Sequence, residues 1–120
     1  MSERIRFVDH WGPEILFVDF SNCSAREVEK IARAVPDYTS TKPFSSVLIL
    51  SDFEGAAFDD DAIRAVKEAA VFDKPFVKKS ALIGTESFPT KLIAEVKTYS
   101  RRSLVTFETR EDAIAWLTAV

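Results

Sequence analysis

What most constrains this chain is a repeated change in the period of its apolar residues. Over Arg4–Val8 the pattern alternates, with Ile5 and Phe7 set against Arg4 and Arg6, which puts the apolar side chains on one face of a strand. Gly12-Pro13 breaks the alternation, and Glu14–Phe20 resumes with β-branched and aromatic residues. The two runs read as a strand hairpin turning near His10–Pro13. From Ser24 the spacing becomes helical. Ser24 and Glu27 have the separation of a capping box, and Val28, Ile31, Ala32 and Val35 make a stripe that closes near Pro36.

The two periods continue to alternate to the end of the chain. Val47–Leu50 is an uninterrupted apolar run, the pattern of a strand covered on both faces. Asp59, Asp60 and Asp61 precede a helix with the stripe Ile63, Val66 and Ala70, where acids favour the positive N-terminal end. Val77–Gly84 reads as a strand with Ala81-Leu82-Ile83 as its buried part. Ser87-Phe88-Pro89 opens a third helix carrying Phe88, Leu92, Ile93, Val96 and Tyr99, since proline fits a first turn. Leu104–Phe107 is a last strand, and Thr109–Asp112 caps a last helix with Ala113, Ile114 and Leu117. The order β-β-α-β-α-β-α-β-α predicts one α/β domain over residues 1–120. Its central sheet is mixed and mostly parallel, entered through an N-terminal β-hairpin, with helices packed on it.

With 47% hydrophobic and 29% charged residues, the chain can fill one core and cover it with an ordinary polar surface, which excludes global disorder. No apolar run approaches the roughly 20 residues of a membrane span. The single cysteine, Cys23, allows no intramolecular disulfide and no cysteine metal cluster. The first residues lack the apolar core of a signal peptide, so a cytoplasmic location is expected. A net charge of −3 and a pI of 5.2 give no reason to expect nucleic acid.

That net charge is a cancellation. Residues 1–73 hold 8 basic and 14 acidic side chains, residues 74–102 hold 7 and 2, and residues 103–120 hold 1 and 3. Asp52, Glu54, Asp59, Asp60 and Asp61 place five carboxylates within ten residues. Folding can set these signs apart or interleave them.

In an open α/β sheet, functional groups gather in loops at the carboxyl ends of the parallel strands. Here those loops are Asp19–Ser24, Ser51–Asp61, Gly84–Ser87 and Glu108–Arg110. They do not carry the groups of three common chemistries. A phosphoacceptor domain would use Asp52 after a central strand. Only Asp19 follows the first parallel strand, however, and Glu108-Thr109 stands where a lysine is needed, so a magnesium site lacks convergent carboxylates. The sole histidine, His10, lies in the hairpin turn, and Cys23 beside the capping serine has the place of a small packing residue. Gly12, Gly55 and Gly84 fit neither a phosphate-binding loop nor a dinucleotide fingerprint. The expectation is a non-enzyme, without catalytic residues, metal or cofactor.

Leu48–Phe58 (LILSDFEGAAF), followed by an acidic helix start, resembles the central strand and loop of STAS domains. Lys74–Gly84 resembles the next strand of the SpoIIAA-like branch, and Tyr99–Arg102 with Phe107–Leu117 resembles its closing segment. The likeness runs in order over nearly the whole chain. It implies a regulatory or protein-interaction module of the kind that acts as an anti-sigma-factor antagonist, docking on a kinase partner with a phosphorylated serine at the start of the second helix. In this chain that position falls at or near Asp61, so a serine phosphoswitch is not expected and the loop reads as constitutively acidic.

The expected partner-binding residues are Asp52, Phe53, Glu54, Phe58, Asp60 and Asp61, with Lys78, Lys79, Arg101 and Arg102 as a basic surface. Asp59 and Asp60 also read as helix caps, and Phe53 and Phe58 as core residues. Lys78 and Lys79 read as one outward and one stem-buried lysine on a strand edge. The same branch is grouped with lipid carriers related to CRAL-TRIO proteins. Its alternative implication is therefore a carrier or sensor of a small apolar ligand, with some of the ten phenylalanines lining a pocket instead of filling the core. Arg4 and Arg6 discourage strand-to-strand pairing at the first edge, which leaves a helix-mediated homodimer open.

Overall fold

Among the described residues, five strands and four α-helices form in the expected order: β1 (Ile5–Asp9), β2 (Glu14–Asp19), α1 (Ala25–Thr39), β3 (Val47–Asp52), α2 (Asp60–Asp73), β4 (Val77–Ile83), α3 (Leu92–Ser100), β5 (Leu104–Phe107) and α4 (Arg110–Leu117). The structure is a computed structural model and describes residues 4–9 and 13–119. The expected turn residues His10, Trp11 and Gly12 lie outside the described residues. β1 and β2 pair antiparallel, with Ile5 opposite Val18 and Asp9 opposite Glu14. β2, β3, β4 and β5 are parallel neighbours in that spatial order.

Strand order equals chain order, so all three parallel crossovers step the same way across the sheet. Connections of one hand then put their helices on one face. Accordingly Val28, Ala32 and Val35 of α1, Ala62 and Ala65 of α2, and Leu92 and Val96 of α3 pack with Leu16, Val18, Ile49 and Leu82 of the sheet. α4 is not a crossover and turns back over the other face. There Ala113 and Leu117 meet Ile15, Phe17, Leu50, Ala81 and Ile83. The alternation of β2, β3 and β4 therefore feeds two cores, which is why their inner segments are continuously apolar.

Local departures from the expected pattern have physical causes. α1 runs through Pro36 to Thr39, because the last turn is anchored from outside: the buried Thr39 hydroxyl donates to Asp73 Oδ1 at 2.8 Å. α3 starts at Leu92, after a 3-10 turn at Thr85–Ser87. Phe88 precedes Pro89 and is extended, with ψ 141°, as a residue before proline prefers. Its ring leaves the expected helix stripe, and Tyr99 turns to solvent. α2 buries Ala62, Ala65, Ala69 and Ala70, with Ile63 and Val66 only partly covered. Small side chains let α2 lie close to α1.

Candidate functional site

The carboxyl ends of β2, β3 and β4 are tied into one rigid platform by backbone hydrogen bonds. The Phe20 amide donates to Asp52 O (2.8 Å), Asn22 to Glu54 O (2.7 Å), Phe53 to Ile83 O (2.9 Å) and Ala57 to Cys23 O (2.9 Å). The Ser87 hydroxyl donates to Phe53 O at 3.1 Å. Two glycines make the close approach sterically feasible. Gly84 has φ +69°, and a side chain there would strike the backbone of Glu54; Gly55 has φ +72° and abuts the Asn22 side chain. The β3–α2 loop, which holds the acidic residues, is thus held from both sides.

Beneath it lies an aromatic cluster. Phe53 stacks on Phe20 (centroids 4.3 Å, planes 6° apart) and meets the edge of Phe88 (4.6 Å), while Phe58 meets Phe88 at 5.2 Å. Phe53 is 3% exposed. This corrects its assignment to the partner-binding set: the β3 direction turns its ring under the loop, and it is core. Phe58 and Phe88 remain half-buried at the rim.

The acidic residues divide in the same way. Asp52 is 8% exposed; its Oδ1 accepts from the Glu54 amide at 3.0 Å and its Oδ2 lies 3.7 Å from Arg110. Placed on the α4 face with its charge opposed by Arg110, it shapes the loop and is not part of an accessible surface. Arg110 also lies 4.7 Å above the Phe17 ring, so one guanidinium serves both the carboxylate and the aromatic face. Asp59 is the N-cap of α2, its Oδ1 accepting from the Ala62 amide at 2.8 Å. Glu54, Asp60 and Asp61 stand exposed.

The expected basic surface also splits. Lys78 is exposed, left over where the β3–β4 register shifts between Val47 and Leu48. Lys79 holds its Nζ 5.1 Å above the Trp116 ring, donating to the carbonyls of Trp116 (2.9 Å) and Ala119 (3.3 Å). β4 is an inner strand, but its pairing with β5 begins only at Ser80, so both lysines sit at an open corner of the sheet. Arg101 is exposed at the end of α3. Arg102 is not a surface cation. Its Nη1 donates to Ala70 O at 3.4 Å, and its Nη2 is buried without a partner among the described residues. Burial lowers the Arg102 pKa, and the Asp73 charge raises it. Burial likewise lifts the Asp73 carboxyl to about 6, against the Thr39 hydrogen bond and the Arg102 charge, which lower it.

Asp73 and Arg102 border a partly open cavity of about 70 Å³ between the sheet and helices α1 to α3, with Ser51 and Ser80 on its floor and Phe53 and Phe88 in its wall. Small residues on β3, β4 and α2 leave this space. It is about half the size of a cavity that holds a benzene ring, roughly 150 Å³. Larger open clefts of about 350 Å³ and 430 Å³ have mixed linings, the first with Arg4, Glu27 and Lys30 beside Ile5, Ile31 and Tyr38, and the second with Lys67, Lys91 and Glu95 beside Ala94 and Tyr99.

Residues that the sequence did not single out therefore matter here: Arg110, Asp73 and Thr39, all paired with groups more than 30 positions away. Cys23 is buried and its thiol is pushed up, chiefly by burial. Because the parallel strands run one way, exposed Glu54, Asp60 and Asp61 collect at their carboxyl end, whereas Lys74, Lys78 and Arg101 collect at the other. Among the described residues, no group of three or more His, Cys, Asp or Glu is placed to hold a metal ion, and no helix is long and apolar enough to cross a membrane. Comparison with protein-family models, curated proteins and solved structures found no match to this chain.

Proposed function

We propose that this protein is a non-catalytic regulatory module of the STAS type, SpoIIAA-like branch, acting in the cytoplasm by binding a protein partner through the acidic end of its sheet. One observation carries this reading: Glu54, on a loop pinned at both sides, and Asp60 and Asp61, in the first turn of the helix that follows it, are exposed, and no ion pair within the described residues engages them. Fixed, unpaired carboxylates beside the half-buried rings of Phe58 and Phe88 suit a partner with a basic, partly apolar face. The resemblance sets a phosphorylated serine at or near the position of Asp61. Ser51 is the only serine in residues 51–61, and it is buried on the floor of the cavity. The acidic end is then a constant surface, not a phosphorylation switch.

Carriage of a lipid is the less favoured reading. An enclosed apolar site for such a ligand measures several hundred cubic ångströms, against about 70 Å³ here. The test is co-purification with the wild type and with a Glu54→Lys, Asp60→Lys, Asp61→Lys variant whose fold is checked by circular dichroism. The wild type is expected to capture a partner that the variant loses. Undiminished capture by the variant overturns the reading. Native mass spectrometry showing a retained lipid would replace it with the carrier.

A further inference from the structure

The tripeptide Lys-Pro-Phe occurs twice, at Lys42-Pro43-Phe44 and Lys74-Pro75-Phe76. Each copy stands shortly before one of two adjacent parallel strands, β3 and β4, so the fold sets the copies side by side. The Ser45 amide donates to Pro75 O at 2.8 Å, and the amides of Ser46 and Val47 donate to Phe76 O at 3.0 and 2.9 Å. The Phe44 and Phe76 rings lie 5.4 Å apart, and Phe72, at the end of α2, continues the row 6.3 Å from Phe76. Phe44 is 74% exposed, Phe72 52% and Val71 45%; these are three of the four large apolar side chains that are strongly exposed among the described residues. A soluble surface scatters such residues singly, so a contiguous set marks an interaction surface.

The charges around the patch indicate what covers it. Lys74, Lys78 and Arg101 are exposed there with no ion pair among the described residues. Of the acids at this end, Glu14 is engaged by Lys42 at 2.9 Å and Asp73 is buried against Thr39, while Asp9, opposite Glu14 on β1, and Asp37, in the last turn of α1, are exposed. A second copy docked patch to patch would bring these cations against their own counterparts. Protruding rings within a collar of lysines match a bilayer interface, where aromatics enter the acyl boundary and cations meet anionic headgroups. Pro43 and Pro75 stiffen the backbone that presents the rings.

We propose that this end of the molecule, opposite the acidic loop, docks peripherally on an anionic lipid bilayer. The proposal stands apart from the partner assigned to the acidic end. The test is flotation of the full chain with phosphatidylcholine vesicles and with vesicles that also contain phosphatidylserine. Binding to the anionic vesicles alone is expected, weakening with salt. Phe44→Ser with Phe72→Ser, or Lys74→Glu with Lys78→Glu, should each cut it by about tenfold or more, with unchanged circular dichroism. Asp61→Asn, at the far end, should leave it intact. The proposal fails if neither vesicle binds, or if the Phe44→Ser, Phe72→Ser variant floats like the wild type. It also fails if that variant instead abolishes self-association or capture of a protein while vesicle binding persists.

Discussion

Asp73 is the residue whose environment departs furthest from what its side chain prefers. Its carboxyl is raised to about 6 by burial, opposed by the Thr39 hydrogen bond and the Arg102 charge, whereas in the unfolded chain it titrates near the ordinary 3.8. The folded state therefore binds the proton more tightly. Burial of the ionised form costs stability above about pH 6, and the cost disappears as pH falls toward the unfolded value. Relative to Asp73→Asn, the wild type should gain about 2 kcal/mol as pH drops from about 7.5 to about 4.5, read by urea unfolding at each pH. Parallel pH profiles would show that the carboxyl is not held in a low-dielectric site. The neutral variant also leaves the buried Arg102 without its counter-charge, so the slope and not the offset is the diagnostic. At Gly84 the constraint is steric. A methyl there meets the Glu54 Cα at 2.7 Å as well as its amide, at φ +69°, so Gly84→Ala should cost about 2 kcal/mol or more. Gly55→Ala should cost less, because the atom it meets belongs to the movable Asn22 side chain. Equal shifts in the urea midpoint would contradict this.

For the elements, the three aspartates before α2 show how a local signal divides once a helix forms. All three suit a positive N-terminus, and the sequence reads them as one acidic group. Only Asp59 has the extended backbone of an N-cap and the hydrogen bond to Ala62. Asp59→Ala should therefore lower stability by about 1 kcal/mol and leave partner capture largely intact. Asp61→Ala should change the urea midpoint less and weaken capture more. The reverse pattern would reassign the two residues. The helix boundaries were legible where caps are local, as at Ser24 and Thr109, whose side chains accept from Glu27 and Asp112 amides. They were not legible at Pro36 or Pro89. In the first case a buried bond from Thr39 outweighs the break; in the second, the residue before proline is drawn into an aromatic cluster.

At the scale of the molecule, the two cores are not equally protected. Three crossover helices cover one face of the sheet, and α4 alone covers the other over β3, β4 and β5. Removing residues 110–119 should expose Ile15, Phe17, Leu50 and Ile83 together and also release Asp52 from Arg110. The truncated chain is expected to lose its cooperative urea transition and bind a hydrophobic dye. A sharp transition at the wild-type midpoint would mean that the second core does not depend on α4. The charge segregation also belongs to this scale, since parallel strands send the residues that follow them to one end and those that precede them to the other.

The sequence by itself determined the type and order of the elements and hence the mostly parallel sheet, because period, caps and turn residues are local and each is satisfied within a few positions. Exposure was decided only by the tertiary structure. Asp52 and Phe53 immediately precede exposed Glu54, yet the first is closed off by Arg110 and the second by Phe20 and Phe88. Arg102 follows Arg101 and is half-buried, with its guanidinium against the Ala70 carbonyl of α2, while Arg101 stays in water. Two Lys-Pro-Phe tripeptides 32 residues apart become one patch only because β3 and β4 are neighbours. A surface is made by residues distant in the chain, and their distance is set by packing, which no local pattern contains.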